Sequence, residues 1–449
     1  MYIDYFIEKF KKNPEADALV WNGQVYKYKQ VLNYLEKDLT FFRQELKKPS
    51  VVSIEGDFSP HSSTILLSLI ELGCTVVPLS SSVAHKKEEF KKTAEVEACV
   101  ILHDDDTFDF IRTGCEVQHP MLLPLLENNT PGLIIFSSGS TGKSKAILHN
   151  FVPLLDKYKQ DRKCMRMITF LLFDHLGGIN TLLYILSNAG FIVTLQSRRP
   201  EQVCQLIEKY KVEILPVSPT FINMLLLSEA YKKYDLSSLT LVTYGSEVMP
   251  QSTLTRFHEL FPQIHMLQTY GLSETGALRT KSKSSDSLWI KLRDSKECQS
   301  RIVDGQLQLK GHSDMIGYLN APSPFTEDGW LKTGDVVETD DTGEYFRILG
   351  RHSEIINVGG LKVYPIHVEN ILMQMDGVED VAVSGEENLM TGQIVKAKIK
   401  LSTNETISAF KKRMRLFCRD QLQNFQIPQK IELVDHMLYN DRFKKIRRG

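Results

Sequence analysis

The sequence predicts an α/β fold: a large N-terminal domain with layered α/β sheets and a β-rich module, then a small α+β C-terminal domain. The chain of 449 residues is longer than one hydrophobic core usually serves. Short β-branched runs alternate with longer segments of helical period, and the pattern after residue 300 changes to short strands and turns. We place the boundary at Gly350 to Ser353, which gives domains of residues 1–351 and 352–449.

The first half of the chain supplies the elements of the layered sheets. A strand is predicted at 51–55, followed by a helix at 62–72 that Gly73 ends. The elements predicted after these are strands at 75–78 and 133–136, a helix at 201–210, a strand at 212–217, a helix at 221–231, and strands at 239–243 and 265–269. Loops at the carboxyl ends of such strands usually bind ligands, so they hold the candidate site residues.

The second half supplies the β-rich module and the small domain. Strands of the module are predicted at 306–309, 336–338 and 345–349, with a turn at 341–343. The small domain is predicted from strands at 381–384 and 394–401 and a helix at 408–423.

Composition and charge are those of an ordinary soluble protein, with 42% hydrophobic and 24% charged residues. The net charge of -1 predicts no attraction to nucleic acid or to an anionic membrane. No apolar run reaches the roughly 20 residues of a membrane span, and no secretory signal is visible. The seven cysteines form no CxxC pair, so a reduced, cytoplasmic compartment is predicted.

The strand at 133–136 runs into a Ser/Gly-rich loop with two lysines, at 137–145. Small residues let backbone N–H groups approach phosphate oxygens, and hydroxyls and lysines add donors and positive charge. A Walker A motif would need a glycine five residues before Gly142, where Ser137 stands. The loop instead resembles the phosphate loop of the adenylate-forming superfamily, which comprises acyl-CoA synthetases, peptide-synthetase adenylation domains and luciferases.

Further segments resemble motifs of this superfamily, in the family's order and across nearly the whole chain. They are a packing motif at 72–79, a strand-end loop at 244–247, the segments 268–275 and 329–335, and the pair Gly350-Arg351. Any one of them alone is commonly only a turn, so the identification depends on their order. The resemblance is closest to acyl- or aryl-CoA ligases.

The resemblance implies a site for ATP and Mg²⁺. Tyr270 would pack on adenine, Asp335 and Arg351 would bind the ribose, and Glu274 with Thr141 would hold magnesium. The nucleotide-binding residues implied in this way are Ser137, Ser138, Gly139, Ser140, Thr141, Gly142, Lys145, Gly245, Ser246, Glu247, Tyr270, Gly271, Ser273, Asp335, Tyr345 and Arg351.

A cation must also reach the α-phosphate and the attacking carboxylate, because both are anionic. In the superfamily it is a lysine near the C-terminus that follows a glycine. Alignment on Ile446 and the arginines after it makes Lys445 the catalytic lysine, with Lys444 in the place of the glycine and as the alternative. A solvated basic tail is the other interpretation.

The small domain of the superfamily is mobile and rotates about a hinge to admit a thiol. Ser353 stands where this hinge usually carries Asp or Lys. Gly359 and Gly360 resemble the loop that lines the thiol tunnel, and adjacent glycines would permit close passage of a pantetheine arm.

Two alignments of the segment around Asp174 predict different acids. Alignment on His-x-x-Gly puts His175 and Gly178 where acyl-CoA synthetases border the acyl carboxylate. Alignment on Phe-Asp puts Asp174 where amino-acid-activating enzymes hold the α-ammonium. We favour the first because the glycines fit it, and we expect Thr220 and Phe221 to form another wall of the pocket.

The motifs together predict a cytoplasmic ligase that uses ATP and Mg²⁺ to convert a small carboxylic acid to an acyl-adenylate. The acyl group would then pass to the thiol of CoA or of a carrier-protein phosphopantetheine. The catalytic residues would be Lys445, His175 and Glu274. A stand-alone amino-acid adenylation enzyme and a non-catalytic nucleotide-binding relative are the alternatives, and no nucleic acid or membrane partner is predicted.

Overall fold

The computed structural model describes residues 1–138, 143–293, 298–440 and 443–447. Its α-helices are Asp4–Lys12, Tyr28–Glu45, Pro60–Glu71, Lys87–Thr93, Leu123–Glu127, Phe151–Asp156, Leu176–Ser187, Pro200–Tyr210, Pro219–Ser228, Gln251–Leu260, Pro365–Leu372 and Ile407–Cys418. None of the helices in these ranges combines the length and the apolar character that crossing a membrane requires.

Prolines and serines set where several helices begin. Pro60 and Pro219 are the first helical residues, and Ser59 and Ser218 before them accept hydrogen bonds from the first turn. Proline suits this position because its fixed φ is helical and it lacks an N–H that the helix could not use. The helices predicted at 62–72 and 221–231 therefore begin two residues earlier.

One seven-stranded sheet carries the candidate phosphate loop. Its strands, in spatial order, are Gly317–Tyr318, Ser144–Asn150, Gly132–Ser138, Thr75–Leu79, Val51–Glu55, Ala98–Leu102 and Phe108–Arg112. The central pairs are parallel, and antiparallel strands close both ends.

A second seven-stranded sheet presents the strand-end loops. Its strands, in spatial order, are His265–Gln268, Leu241–Tyr244, Ile214–Val217, Arg166–Ile168, Phe191–Val193, Asp17–Trp21 and Gln24–Lys27. Its first six strands run parallel, so their carboxyl ends meet at one edge.

Helices from the first half of the chain fill the space between the two sheets. Their side chains share one cluster with Val52 and Ile54 of the first sheet and with Leu19 and Ile192 of the second. A separate cluster covers the other face of the second sheet, where Val203 and Phe221 contribute from flanking helices. Sheets buried on both faces explain why their strands are nearly continuous apolar runs.

The β-rich module is a six-stranded antiparallel sheet beside a two-stranded hairpin. The sheet consists, in spatial order, of Thr280–Ser282, Ile290–Leu292, Phe346–Arg351, Leu331–Thr339, Gln306–Gly311 and Cys298–Val303. The hairpin consists of Tyr270–Leu272 and Gly276–Leu278. The strand predicted at 336–338 is longer in the structure, because it pairs on both sides.

The C-terminal part has its own sheet and its own hydrophobic cluster. Its strands are Leu361–Val363, Ile356–Val358, Gly392–Leu401, Val378–Asn388 and Lys430–Val434. The cluster runs from Ile356 to Leu422 and includes Phe410 and Met414 of the helix that packs on the sheet. The helix predicted at 408–423 ends at Cys418, and Leu422 still packs in the cluster.

Candidate active site

The strands on either side of the candidate phosphate loop, Gly132–Ser138 and Ser144–Asn150, pair as an antiparallel hairpin. Ser137 pairs with Lys145 across this hairpin. The ammonium of Lys145 lies 4.7 Å from the ring centroid of Tyr318 on the neighbouring strand, close enough for a cation–π contact. The predicted loop residues that fall outside the described residues are Gly139, Ser140, Thr141 and Gly142.

Glu274 lies beside this hairpin. The hydroxyl of Tyr318 donates to Glu274 Oε1 at 2.7 Å, and the backbone N–H of Met315 donates to the Glu274 carbonyl at 2.7 Å. In nucleotide sites, Mg²⁺ is usually bound by one or two carboxylates and by substrate phosphates. A single carboxylate near the loop fits that arrangement, and the described part of the chain has no cluster of three or more residues suited to a metal.

His149 contacts the turn that carries Ser273 and Glu274. It lies on the strand that follows the loop, is fully buried, and its Nε2 is 2.6 Å from the Ser273 carbonyl. Burial lowers the pKa of His149, so the ring stays neutral near pH 7. His149 therefore joins the loop strand to the turn that carries Ser273 and Glu274.

Asp335, Tyr270 and Arg351 form a cluster in which Asp335 and Tyr270 are buried and the Arg351 side chain is 46% exposed. The Tyr270 hydroxyl donates to Asp335 Oδ2 at 2.6 Å, and Arg351 Nε lies 2.8 Å from Asp335 Oδ1. Arg351 also donates to the Thr333 carbonyl at 2.8 Å. Burial raises the pKa of the Asp335 carboxyl, and the charge of Arg351 opposes that shift. Each oxygen of the fixed carboxyl group keeps a lone pair for a further donor, such as a ribose hydroxyl.

Tyr345 is not part of this cluster. It lies at the turn before the strand Phe346–Arg351, where the ammonium groups of Lys283 and Lys291 lie 5.5 and 4.9 Å from its ring centroid. The opposite end of that strand carries Arg351, and the structure therefore does not bring Tyr345 to Asp335.

Two strand-end loops touch at the carboxyl edge of the second sheet. A Cβ at Gly245 would lie 2.6 Å from Thr269 Oγ1, so only glycine permits this approach. Ser246 follows with a φ of 70°, in the left-handed region. A Cβ at Gly271 would lie 2.4 Å from the Gly276 carbonyl, which makes Gly271 a close-packing position of the hairpin.

Glu247 links this edge to the C-terminal segment. Its Oε1 accepts a hydrogen bond from the Thr220 backbone at 2.8 Å, and its Oε2 accepts one from the Lys445 backbone at 3.0 Å. Predicted substrate and adenine-loop residues therefore lie together, and they contact the segment that carries both candidate lysines.

His175 begins the helix Leu176–Ser187 and accepts a hydrogen bond from the Gly177 backbone through Nδ1, at 3.1 Å. It lines a small cavity together with Ser246 and Lys444. Asp174 is only 3% exposed, so its carboxylate offers little surface to a substrate.

The other predicted pocket residues have mainly packing roles. A Cβ at Gly178 would lie 2.0 Å from the Leu172 carbonyl, so Gly178 permits helix and loop to approach. Phe221 is fully buried and its ring centroid lies 4.5 Å from that of Phe170. Phe443 of the C-terminal segment covers this pair at 6.1 and 5.4 Å.

The side chains of the two adjacent lysines lie in different surroundings. Lys445 Nζ donates to Asp380 Oδ1 at 2.8 Å and to the Val381 carbonyl at 2.7 Å, both within the small domain. Burial alone would lower the pKa of Lys445, but the charges of Asp380 and Glu369 raise it. Lys444 lines the cavity that holds His175 and Ser246.

The predicted hinge and tunnel loop lie at the start of the small domain. Ser353 belongs to a short 3-10 turn, His352–Glu354, directly after Arg351. Gly359 and Gly360 form the two-residue turn between Ile356–Val358 and Leu361–Val363, with φ values of 58° and 85°. A turn of this kind requires a left-handed backbone at both residues, which glycine adopts readily. The turn therefore explains both glycines, independently of the predicted role in lining a thiol tunnel.

Sequence reasoning missed His149 and Tyr318. His149 interrupts an apolar strand, a pattern that could have drawn attention to it. Tyr318 is 44 residues from Glu274, and nothing in its local sequence predicts the contact.

The sequence profile of the AMP-binding enzyme family matches residues 6–319, and that of the AMP-binding enzyme C-terminal domain matches residues 367–444. The chain is 28% identical over 353 residues to a 3-[(3aS,4S,7aS)-7a-methyl-1,5-dioxo-octahydro-1H-inden-4-yl]propanoyl:CoA ligase of Mycobacterium tuberculosis. That match covers 74% of this chain and 69% of the relative. The corresponding ligase of Rhodococcus jostii is matched over 63% of its length.

A second kind of relative is matched from end to end. The 2-succinylbenzoate–CoA ligase of Listeria monocytogenes is 24% identical over 461 residues, which cover 96% of this chain and 95% of the relative. Among solved structures, O-succinylbenzoate coenzyme A synthetase from Bacillus subtilis, in complex with ATP and magnesium ion, has a TM-score of 0.77 at 18% identity. That match covers 99% of this chain and 98% of the other, and it shows the fold.

Proposed function

Because the chain belongs to the AMP-binding enzyme family, we propose that it is an AMP-forming acid–thiol ligase acting on a small carboxylic acid. In the first step the substrate carboxylate attacks the α-phosphorus of ATP, and pyrophosphate leaves. In the second step a thiolate attacks the acyl carbon, and AMP leaves. We take CoA as the acceptor, because the relatives are named as CoA ligases.

One observation carries this proposal: Lys444, His175 and Ser246 line one cavity at the carboxyl edge of a parallel sheet. A cation, an imidazole and a backbone loop in one place can hold a carboxylate against a phosphate. The location of the protein in the cytoplasm is still only a prediction from the pattern of cysteines.

At the phosphate end, Glu274 would hold the magnesium ion that accompanies ATP, and this ion would neutralise phosphate charge. Lys145 adds positive charge on the hairpin that carries the loop. His149 and Tyr318 fix the position of Glu274, through the Ser273 carbonyl and through its own carboxylate.

At the carboxylate end, we assign the catalytic cation to Lys444. The ammonium of Lys445 is engaged by Asp380, away from the cavity, and its backbone N–H binds Glu247. Adjacent side chains of an extended segment point to opposite sides, so Lys445 anchors the segment while Lys444 faces the substrate.

We assign the ribose to Asp335. Asp335→Asn removes the negative charge that ribose hydroxyls would bind, and we expect ATP affinity to fall roughly tenfold or more. Isothermal titration calorimetry with ATP measures this, with Asp340→Asn in the same module as the control. Unchanged affinity in Asp335→Asn would show that the ribose binds elsewhere.

The function itself is tested by carboxylate-dependent ATP–pyrophosphate exchange with a panel of aryl, fatty and amino acids. We expect exchange with acids that lack an α-ammonium, because Asp174 is buried and His175 lines the cavity. Exchange with amino acids alone would indicate the adenylation enzyme. No exchange with any acid would indicate the non-catalytic nucleotide-binding relative. For acids that do support exchange, formation of an acyl-CoA on addition of CoA tests the second step.

A further inference from the structure

A second, larger cavity adjoins the proposed catalytic cavity. It has a volume of about 460 Å³ and shares Leu172, Arg198 and Phe443 with the smaller one. Polar side chains contribute much of its lining; they include Ser81, Ser82, Gln196, Ser197 and Asn440. Apolar side chains such as Phe58, Leu195 and Met224 contribute the rest, so an acid bound beside Lys444 would extend into a cavity of mixed lining.

Arg198 stands at the junction of the two cavities. Its Nε donates to the Phe170 carbonyl at 2.7 Å, and its guanidinium carbon lies 5.7 Å from the Phe170 ring centroid. These contacts fix the plane of the guanidinium group and use one of its five N–H donors. Among the described residues, its terminal nitrogens make no hydrogen bond or ion pair.

The charge of Arg198 is incompletely compensated. Burial lowers the pKa of Arg198, and the carboxylates of Asp57 and Asp174 offset this only from a distance. Asp57 accepts a hydrogen bond from the Ser81 hydroxyl at 2.6 Å instead. A partly buried, fixed guanidinium group that faces a cavity favours an anionic ligand, which it can bind with two parallel hydrogen bonds.

We propose that Arg198 binds a second anionic group on the acid, so that the preferred substrates are dicarboxylic acids. This inference rests on the proposed function, since it places the reacting carboxylate beside Lys444 and His175. It adds the substrate class: one carboxylate reacts, and the other pairs with Arg198 in the adjoining larger cavity.

A phosphate of the thiol substrate could supply the same anionic chemistry. The two sources differ in the step at which they act. Pyrophosphate exchange measures adenylation without any thiol, so an effect of Arg198 on exchange belongs to the acid. An effect seen only when CoA is added would assign Arg198 to the thiol substrate and would overturn the proposal.

The test compares chain-matched acids in the exchange assay: butyrate with succinate, hexanoate with adipate, and benzoate with phthalate. For the wild type we expect the dicarboxylate to be preferred in at least one pair. Arg198→Gln should lower kcat/KM for that dicarboxylate roughly tenfold to a hundredfold and leave its monocarboxylate partner nearly unchanged. Arg198→Lys, which keeps the positive charge, should lower kcat/KM for that dicarboxylate by a smaller factor.

Arg166 provides the matched control. It also donates to a backbone carbonyl, that of Tyr210 at 2.8 Å, and its guanidinium carbon lies 4.9 Å from the Phe191 ring centroid. It lies at the amino end of its strand, away from both cavities. Arg166→Gln should leave the preference between paired acids unchanged.

Two further results would overturn the inference while leaving the proposed function in place. One is a wild-type enzyme that prefers the monocarboxylate of every pair or does not discriminate, which requires no variant to fold. The other is an equal loss for both acids in Arg198→Gln, which would make Arg198 a packing residue for Phe170. No exchange with any acid would contradict the proposed function itself.

Discussion

Replacing Lys444 with alanine is expected to lower the rate of acid-dependent ATP–pyrophosphate exchange by roughly 10²–10³-fold. A fixed charge aimed at a developing anionic centre has an effect of this size, because the surrounding site excludes water. ATP affinity should change little, since Lys444 lines the acid cavity and not the Asp335 cluster. Exchange rates and calorimetric ATP titrations together measure both quantities.

Two further variants make this result decisive. Lys412→Ala, on the exposed face of the helix Ile407–Cys418, controls for loss of one positive charge and should retain exchange. Lys445→Ala tests the alternative lysine. If Lys445→Ala abolished exchange in a folded protein while Lys444→Ala retained it, the assignment to Lys444 would be wrong.

The choice between Lys444 and Lys445 depends on information that the local sequence pattern does not contain. Alignment on Ile446 selects Lys445, because the family pattern fixes the order of residues along the chain. Which of two adjacent side chains would face the substrate depends on how the segment docks, and one docking contact is the hydrogen bond from the Lys445 N–H to Glu247 on a distant loop. No local pattern around position 445 encodes a contact with residue 247.

Much of the fold was predictable because local sequence patterns determine many of its helices and strands. Strands such as Val51–Glu55 and helices such as Pro200–Tyr210 carry their signals in the local pattern of apolar residues and prolines. The family match confirms the superfamily that the ordered motifs predicted, and the related structures confirm the fold class. Asp335 and Arg351, 16 positions apart, are directly paired on neighbouring strands, which explains why the two motifs occur together.

Tyr318 and Arg198, which the sequence did not predict as site residues, lie outside the recognised motifs but contact or adjoin residues within them. Tyr318 reaches Glu274 from the edge strand of the first sheet, and Arg198 reaches the proposed acid cavity from the loop after Phe191–Val193. Each contact joins segments that only the tertiary packing brings together, so it had no local signal in the sequence.

The docked C-terminal segment depends on a buried charge network. Arg447 donates to Glu369 from two nitrogens, each at 2.8 Å, and a third nitrogen lies 3.1 Å from Glu354. Glu369 also accepts a hydrogen bond from the Val383 backbone at 2.9 Å. The network fixes residue 447, three positions beyond Lys444, and thereby helps to place the proposed catalytic cation.

Arg447→Met is expected to destabilise the small domain by about 3–5 kcal/mol at pH 7, because it leaves the Glu369 carboxylate buried without its partner. Burial alone would raise the pKa of Glu369, but the charge of Arg447 holds it below its usual value. A lowered folded-state pKa contributes stability that is present above the unfolded pKa and is lost as pH falls through the folded pKa. In Arg447→Met the pKa of Glu369 should instead rise, so the carboxyl can protonate and the penalty should shrink from pH 7 to pH 5.

Hydrogen exchange of the amides in Val378–Asn388 and Gly392–Leu401 measures the opening free energy of the small domain at both pH values. Lys430→Met, which removes an exposed pair with Glu386, is the matched control and should have a much smaller effect. The double variant Arg447→Met/Glu369→Gln should recover part of the loss, since it removes the unpaired charge. Equal protection in wild type and Arg447→Met would contradict the network's role, and the position of Lys444 would then depend on Glu247 and Phe443 alone.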